Sequence, residues 1–450
     1  SMVEVSDTLG VYTEDITIGY YAASAGMAVS YPIVPKILNA FSSKSLLLAD
    51  LTLQLFLSWI CARQGNIDLL ITFSFIIGFL KGFIMLWIIR RIKFIFSPDD
   101  VRSEFYAYFY PLVFGGGQLS MVVTALLAYH YDWKYMYYFM MILLLVAILA
   151  VIIFFRHDRP SRKIVLKELH LREMLIVSTS LLMLIYVITY GKTLDWMASP
   201  RICIYIAIAP LLLALFIWEQ FHAGKPYVSL KPLFQWKAIL GYFYMMLVMF
   251  FSTSTSLLTS YLTTILKVDS THSYTLYIWL LPGYLAGAFI CFWWFRWQRW
   301  RFRFLIAGGM ACFAFFFGAL YFGISPDSTY EMLYLPLFLR DLGMLTLIIA
   351  FALFAVEDLP PKYLLSNAFF LITFRSVLTP VIASAFYNNM LYRLQQKYMV
   401  QLSENITATD PLSASRYASA LNSGLAQGHG IDEASQRATQ TLYSILQQQS

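Results

Sequence analysis

Long apolar stretches broken by short polar connections occupy the chain from Ile16 to Tyr392. One of the clearest is Ile67–Ile89, IDLLITFSFIIGFLKGFIMLWII, with Lys81 as its one cation and Arg90, Arg91 and Lys93 directly after it. At about 1.5 Å rise per residue it crosses a hydrocarbon core of roughly 30 Å. Eleven further stretches read the same way: Ile16–Leu38, Ser45–Ala62, Phe105–Tyr129, Tyr135–Phe155, Met174–Tyr190, Ile202–Trp218, Ala238–Leu262, Tyr274–Phe295, Phe302–Phe322, Met332–Val356 and Tyr363–Tyr392. The pattern predicts an all-α polytopic membrane protein with about twelve spans. Connections are too short to hold a folded domain outside the membrane. The stretch 393–450 reads as a polar, partly helical tail on the outer side.

Alternate connections divide the basic residues unequally. One set, from Lys36 and Lys44 through Arg90–Arg102, Arg156–Arg172, Lys225–Lys237 and Arg296–Arg303 to Lys362, carries about 20 of the 32. The other set has only Arg63, Lys134, Lys192, Arg201 and Lys267. The first set therefore belongs in the cytoplasm. Twelve spans then place both Ser1 and Ser450 outside with no cleavable signal ahead of the first span, which predicts one span missing from each end.

Composition agrees, with 59% apolar and 13% charged residues. A net charge of +7 would suggest nucleic acid in a soluble protein, but here the cations flank apolar spans, so a nucleic-acid partner is excluded and membrane lipid is expected. Phe292–Phe304, FWWFRWQRWRFRF, reads as an interfacial aromatic belt. The four cysteines are too scattered for a disulfide framework, and no histidine lies deep in a span. Neither a metal nor a cofactor is expected.

Several stretches resemble the fourteen-helix drug:proton antiporters of the major facilitator superfamily, the EmrB/QacA type. Gly191–Ile202, GKTLDWMASPRI, is similar to the loop between that family's two extra central helices. FIWEQFHAGKPYVSLKPLF keeps Glu219, Pro226, Leu230 and Phe234 in the family's spacing, and DLPPKYLLSNAFFLITFR resembles the lead into its penultimate helix, with Arg375 as that helix's arginine. Asp132-Trp133 is similar to the turn between helices five and six. The resemblance implies two bundles joined by two inserted helices: 1–155 with five spans, 156–237 with the inserted pair, and 238–392 with five more. It also implies amphiphilic small-molecule substrates, protons and, in a two-membrane bacterium, a periplasmic adaptor and an outer-membrane channel as partners at the inner membrane. Other motifs depart from the family. PKILNAFSSK has Pro35, Asn39, Ala40 and Ser42 at the Gly, Asp, Arg and Gly positions of the superfamily loop, and G-P-x-x-G-G falls on Ser120–Ala125, SMVVTA.

Charges inside spans are expensive, about 2.5–3.5 kcal/mol each on insertion scales, and so mark candidate substrate or coupling residues. Lys81 lies roughly 12 Å from the cytoplasmic end of its span and either binds an anion or snorkels and pairs structurally. Arg375 is deeper; Asn367, Leu371, Arg375 and Thr379 fall at i+4 steps on one polar stripe, with a kink expected at Pro380. Arg340 and Asp341 are adjacent, so about 100° apart, and an ion pair to another helix is the plainer alternative to a coupling role. Asp50 sits near the cytoplasmic end of the second span, where the alternative is an interfacial charge completing the inter-helix loop network. Gly115, Gly116 and Gly117 suggest a hinge or close helix packing, as do Gly19, Ala22, Ala23 and Gly26. The expected function is a secondary transporter exporting amphiphilic or lipophilic molecules by alternating access. The alternatives are a transport-inactive scaffold or sensor and a membrane enzyme, although H-E-x-x-H, D-x-D and a nucleophile elbow are all missing from the sequence.

Overall fold

A computed structural model describes residues 13–63, 66–96, 102–131, 134–155, 169–262, 266, 276–297, 301–325, 329–404, 411–427 and 430–449. Among the described residues there are helices and turns but no strand. In lipid only internally bonded backbone is tolerated, and helices are the simplest way to achieve it. They are α1 (Thr13–Ser30), α2 (Val34–Leu38), α3 (Ser43–Cys61), α4 (Ile67–Phe96), α5 (Arg102–His130), α6 (Lys134–Phe154), α7 (Leu171–Tyr190), α8 (Pro200–His222), α9 (Trp236–Thr253) and α10 (Thr255–Ser260). After these come α11 (Leu280–Trp297), α12 (Phe302–Gly323), α13 (Tyr334–Val356), α14 (Leu364–Ile372), a π-helical turn Thr373–Leu378, α15 (Thr379–Glu404), α16 (Pro411–Ala426) and α17 (Ile431–Gln449).

Among the described residues, ten stretches are long and apolar enough to cross a membrane. The other two expected spans are α1 and α11, helices of 18 residues each. The chain is an all-α polytopic membrane protein. The expected first span, Ile16–Leu38, is interrupted, because α1 stops at Ser30 and α2 restarts with Pro35 in its first turn. Proline lacks the N–H that would continue the ladder of hydrogen bonds. The turn at Asp132-Trp133 lies outside the described residues.

Two compact units can be distinguished, 1–253 with 269–383 and 254–268 with 384–450. In the second, α16 packs on α17 where Gly424 meets Ala434, and Ala434 and Ala438 are fully enclosed. In the first, α13 is buried along most of its length, with Leu345, Leu347, Ile348, Ile349 and Ala350 fully enclosed. By contrast α6 exposes Leu145, Leu149, Ile153 and Phe154, the side chains of a lipid-facing helix. α1 and α4 meet through small residues. A Cβ on Gly26 would collide with the backbone of Phe75 and Phe79, and one on Gly78 or Gly82 with Ala23 or Ser30. Such close approach is how helices associate in lipid, where burial of apolar area gains little. The packing alternative holds for Gly19 and Gly26. It does not hold for Gly116 and Gly117, which have nothing within 4 Å of an added Cβ, while α5 runs unbroken through both.

Several connections of the basic set are joined to neighbouring elements among the described residues. Arg90 at the end of the α4 span donates to the Asn39 side chain (3.2 Å), and Lys44 donates to the carbonyl of Ile152 (2.9 Å). The linker from α8 to α9 is stitched to the same region. Tyr227 donates to the carbonyl of Val29, the amide of Ser229 donates to Ser366 Oγ (3.0 Å), and Lys237 pairs with Glu357 and Asp358 (both 2.8 Å). Gln220 Oε1 accepts from the Val228 amide (3.0 Å), fixing the turn that delivers Tyr227.

Gly82→Ala is expected to destabilise the detergent-solubilised protein by about 1–3 kcal/mol through overpacking. Gly116→Ala is expected to be neutral or stabilising, since alanine favours helix by up to about 1 kcal/mol over glycine. Thermal unfolding of the two variants side by side measures the difference.

Candidate functional site

Pro380 has no N–H for the carbonyl four residues before it, and the chain ahead of it widens into the π turn Thr373–Leu378. Thr379 Oγ1 donates to the carbonyl of Phe374 (2.7 Å), satisfying one group that the irregularity frees. The polar stripe read at i+4 steps assumed unbroken α-helix and is corrected by this turn. Asn367 turns to Tyr242, whose hydroxyl donates to its Oδ1, and Thr379 is buried. Arg375 has different neighbours. The irregularity itself lies at the arginine rather than beyond it.

The Arg375 guanidinium carbon lies 5.8 Å from the ring centre of Tyr110 and 5.7 Å from that of Phe114, one turn apart on α5. Tyr20 and Tyr31, from α1 and the turn after it, are within electrostatic reach. Tyr31 is buried, but Tyr20 is 62% exposed although it sits mid-span beside this arginine. Nε donates to the neighbouring Ser376 Oγ (3.2 Å), whereas Nη1 is buried without a hydrogen-bond partner. The result is a cation held against π faces, with no ion pair to a carboxylate among the described residues.

A second charged site lies on α13. Arg340 and Asp341 are both buried, Asp341 fully, and Nε of the arginine is 3.4 Å from Oδ1 of the aspartate. The expected partner on another helix is corrected: the pair is local to α13, and what reaches across is the arginine. Its Nη2 donates to Ser252 Oγ on α9 (2.9 Å), and its guanidinium carbon lies 5.9 Å from the Phe316 ring centre on α12. Tyr284 of α11 interacts with Asp341, yet neither carboxylate oxygen has a hydrogen bond of good geometry. A buried carboxylate so thinly satisfied is costly and calls for a reason to persist.

The two sites are joined by rings. Tyr110 and Phe114 stack with centres 6.1 Å apart, and Phe114 lies 6.0 Å from Tyr284. Arg375, Tyr110, Phe114, Tyr284 and Asp341 therefore form a row running between helices of the two ends of the chain.

The remaining candidates fall elsewhere. Lys81 is exposed on the edge of α4, between Leu80, which packs toward α3, and the Gly78–Gly82 seam against α1. It makes no ion pair among the described residues. Asp50 is buried on α3, accepting from Gln54 Nε2 (3.4 Å), with Oδ1 unpartnered. The interfacial reading is corrected, because the loop contact is made by Asn39 and Arg90 and does not include it. Sequence reasoning missed Tyr20, Tyr31, Tyr110, Phe114, Ser252 and Tyr284. Among 31 tyrosines and 37 phenylalanines in apolar spans, nothing in the pattern singles these out. No group of three or more His, Cys, Asp or Glu among the described residues is arranged to hold a metal ion.

Apolar helices around a row of intramembrane charges and aromatic rings define the class, an all-α polytopic membrane protein. The pattern of the Major Facilitator Superfamily matches residues 1–384, and the chain belongs to that superfamily. A solved structure with a similar arrangement is that of the human organic anion transporter MFSD10 (TETRAN), at 12% identity and a TM-score of 0.48, covering 86% of this chain and 83% of that one. A comparison with curated protein sequences finds no match.

Arg340→Ala is expected to leave Asp341 as an uncompensated buried charge and to cost about 3–5 kcal/mol, whereas Arg340→Ala with Asp341→Ala recovers most of the loss. A double-mutant cycle on unfolding of the purified protein gives both numbers.

Proposed function

We propose that this chain is a secondary active transporter that moves amphiphilic small molecules by alternating access, with Asp341 carrying the coupling proton. The observation that carries the proposal is the aromatic row from Arg375 to Asp341. It links an arginine without a carboxylate partner and a sparsely bonded carboxyl on elements that both pack against α9, so that a charge change at one alters packing at the other. Protonating Asp341 frees Arg340 from its pair and leaves it to Ser252, and a rearrangement of α13 against α9 and α11 follows. The two bundles, 1–155 and 238–392, would rock about this row, with 156–237 as the inserted pair.

Membership of the fourteen-helix drug:proton antiporters, export as the direction, the bacterial inner membrane as the site and an adaptor with an outer-membrane channel as partners all belong to this reading. They rest on the motifs around Gly191–Ile202 and Arg375. The loss of G-P-x-x-G-G at Ser120–Ala125 favours a second reading, a scaffold or sensor that no longer transports. The buried Arg340–Asp341 pair supports the first.

Proteoliposomes loaded with a hydrophobic fluorescent dye test it. A one-unit pH gradient should support up to about tenfold accumulation per coupled proton. Asp341→Asn should abolish the response to the gradient while leaving dye exchange at equilibrium. Dye flux equal to that of empty liposomes would favour the scaffold.

A further inference from the structure

The geometry assigns to Arg375 and the rings around it a binding site for an organic monoanion with a flat, apolar body. The inference deepens the transporter reading above, since it names the substrate class of that carrier's central site. It begins from charge balance. Arg340 has Asp341, Arg172 has Glu219 at 2.8 Å, and Lys237 has Glu357 and Asp358. Arg375 has rings instead. A ring face attracts a cation but does not cancel its charge. A net positive charge held in mid-span therefore favours an anion, and the ligand is the natural source of one.

The geometry also says how the anion is held. Nε is engaged by Ser376, Tyr110 and Phe114 flank the guanidinium, and Nη1 is enclosed without a partner, so an anion reaches Nη1 when these rings part. One carboxylate or sulfonate oxygen at Nη1 makes a charge-assisted hydrogen bond, the strong kind in a low-dielectric setting. The body of the ligand is assigned to the side of Tyr20, an exposed ring within electrostatic reach of Arg375. Offset stacking suits an aryl body. Cations are disfavoured by the same arginine, and a neutral analogue forfeits the charged hydrogen bond.

The test uses the full chain in detergent, with 1-naphthoate as probe, 1-naphthamide as its neutral counterpart, and inorganic phosphate and an anionic phospholipid as competitors. Equilibrium dialysis should show saturable naphthoate binding, naphthamide weaker by at least about tenfold, and Arg375→Gln reduced by a similar factor. Arg375→Lys should keep part of the affinity, since it retains charge without the planar fork. Protection of the Arg375 peptide from phenylglyoxal by naphthoate, read by mass spectrometry on unmutated protein, gives the same answer without relying on a variant to fold. Equal binding of naphthamide, unchanged binding by Arg375→Gln, or no protection overturns the assignment. Displacement of naphthoate by phosphate or phospholipid at equal concentration would show a simple counter-ion site and also overturn it. Dye transport without naphthoate binding would sink this site and leave the carrier standing; naphthoate binding without any transport would do the reverse.

Discussion

A charge placed where water cannot reach it must be balanced or must be used. That constraint orders this molecule. Hydrocarbon compels every described span to close its backbone bonds internally, so the fold reduces to helices. The same solvent makes each intramembrane ion conspicuous. Arg340 meets it with Asp341 and Ser252, and Asp50 meets it partly with Gln54. Arg375 meets it with the rings of Tyr110 and Phe114 and the hydroxyl of Ser376. These three solutions are uneven, and Arg375 is the one without a carboxylate among the described residues.

The fold was legible because its signals are long and repeated. A run such as Ile67–Ile89 has one reading in any context, and the bias of Lys and Arg to alternate turns is carried by many residues at once. The turns that failed were those set by single residues. The first span breaks after Ser30 and restarts with Pro35 in the first turn of α2, and Pro380 is accompanied by a π turn that breaks the i+4 arithmetic linking Asn367 to Arg375. The candidate ions were legible one by one, from their cost in lipid. Their surroundings were not, because Tyr110, Phe114 and Tyr284 come from α5 and α11, far apart in sequence, and are chemically ordinary in apolar spans. Asp50 shows the same limit: position along a span does not reveal which face is buried.

The glycines illustrate how packing assigns meaning that composition withholds. Gly26, Gly78 and Gly82 are small because a neighbouring backbone occupies the space a side chain would need. Gly116 and Gly117 border open space, so they leave the backbone of α5 uncovered one turn beyond Phe114. The first three fix a seam, whereas the other two border open space.

The segment between α8 and α9 grips both ends of the chain, through Tyr227 on Val29 and through Ser229 on Ser366. A covalent connector that is also hydrogen-bonded to what it connects behaves as a clasp. Separating Val29 from Ser366 would require undoing it.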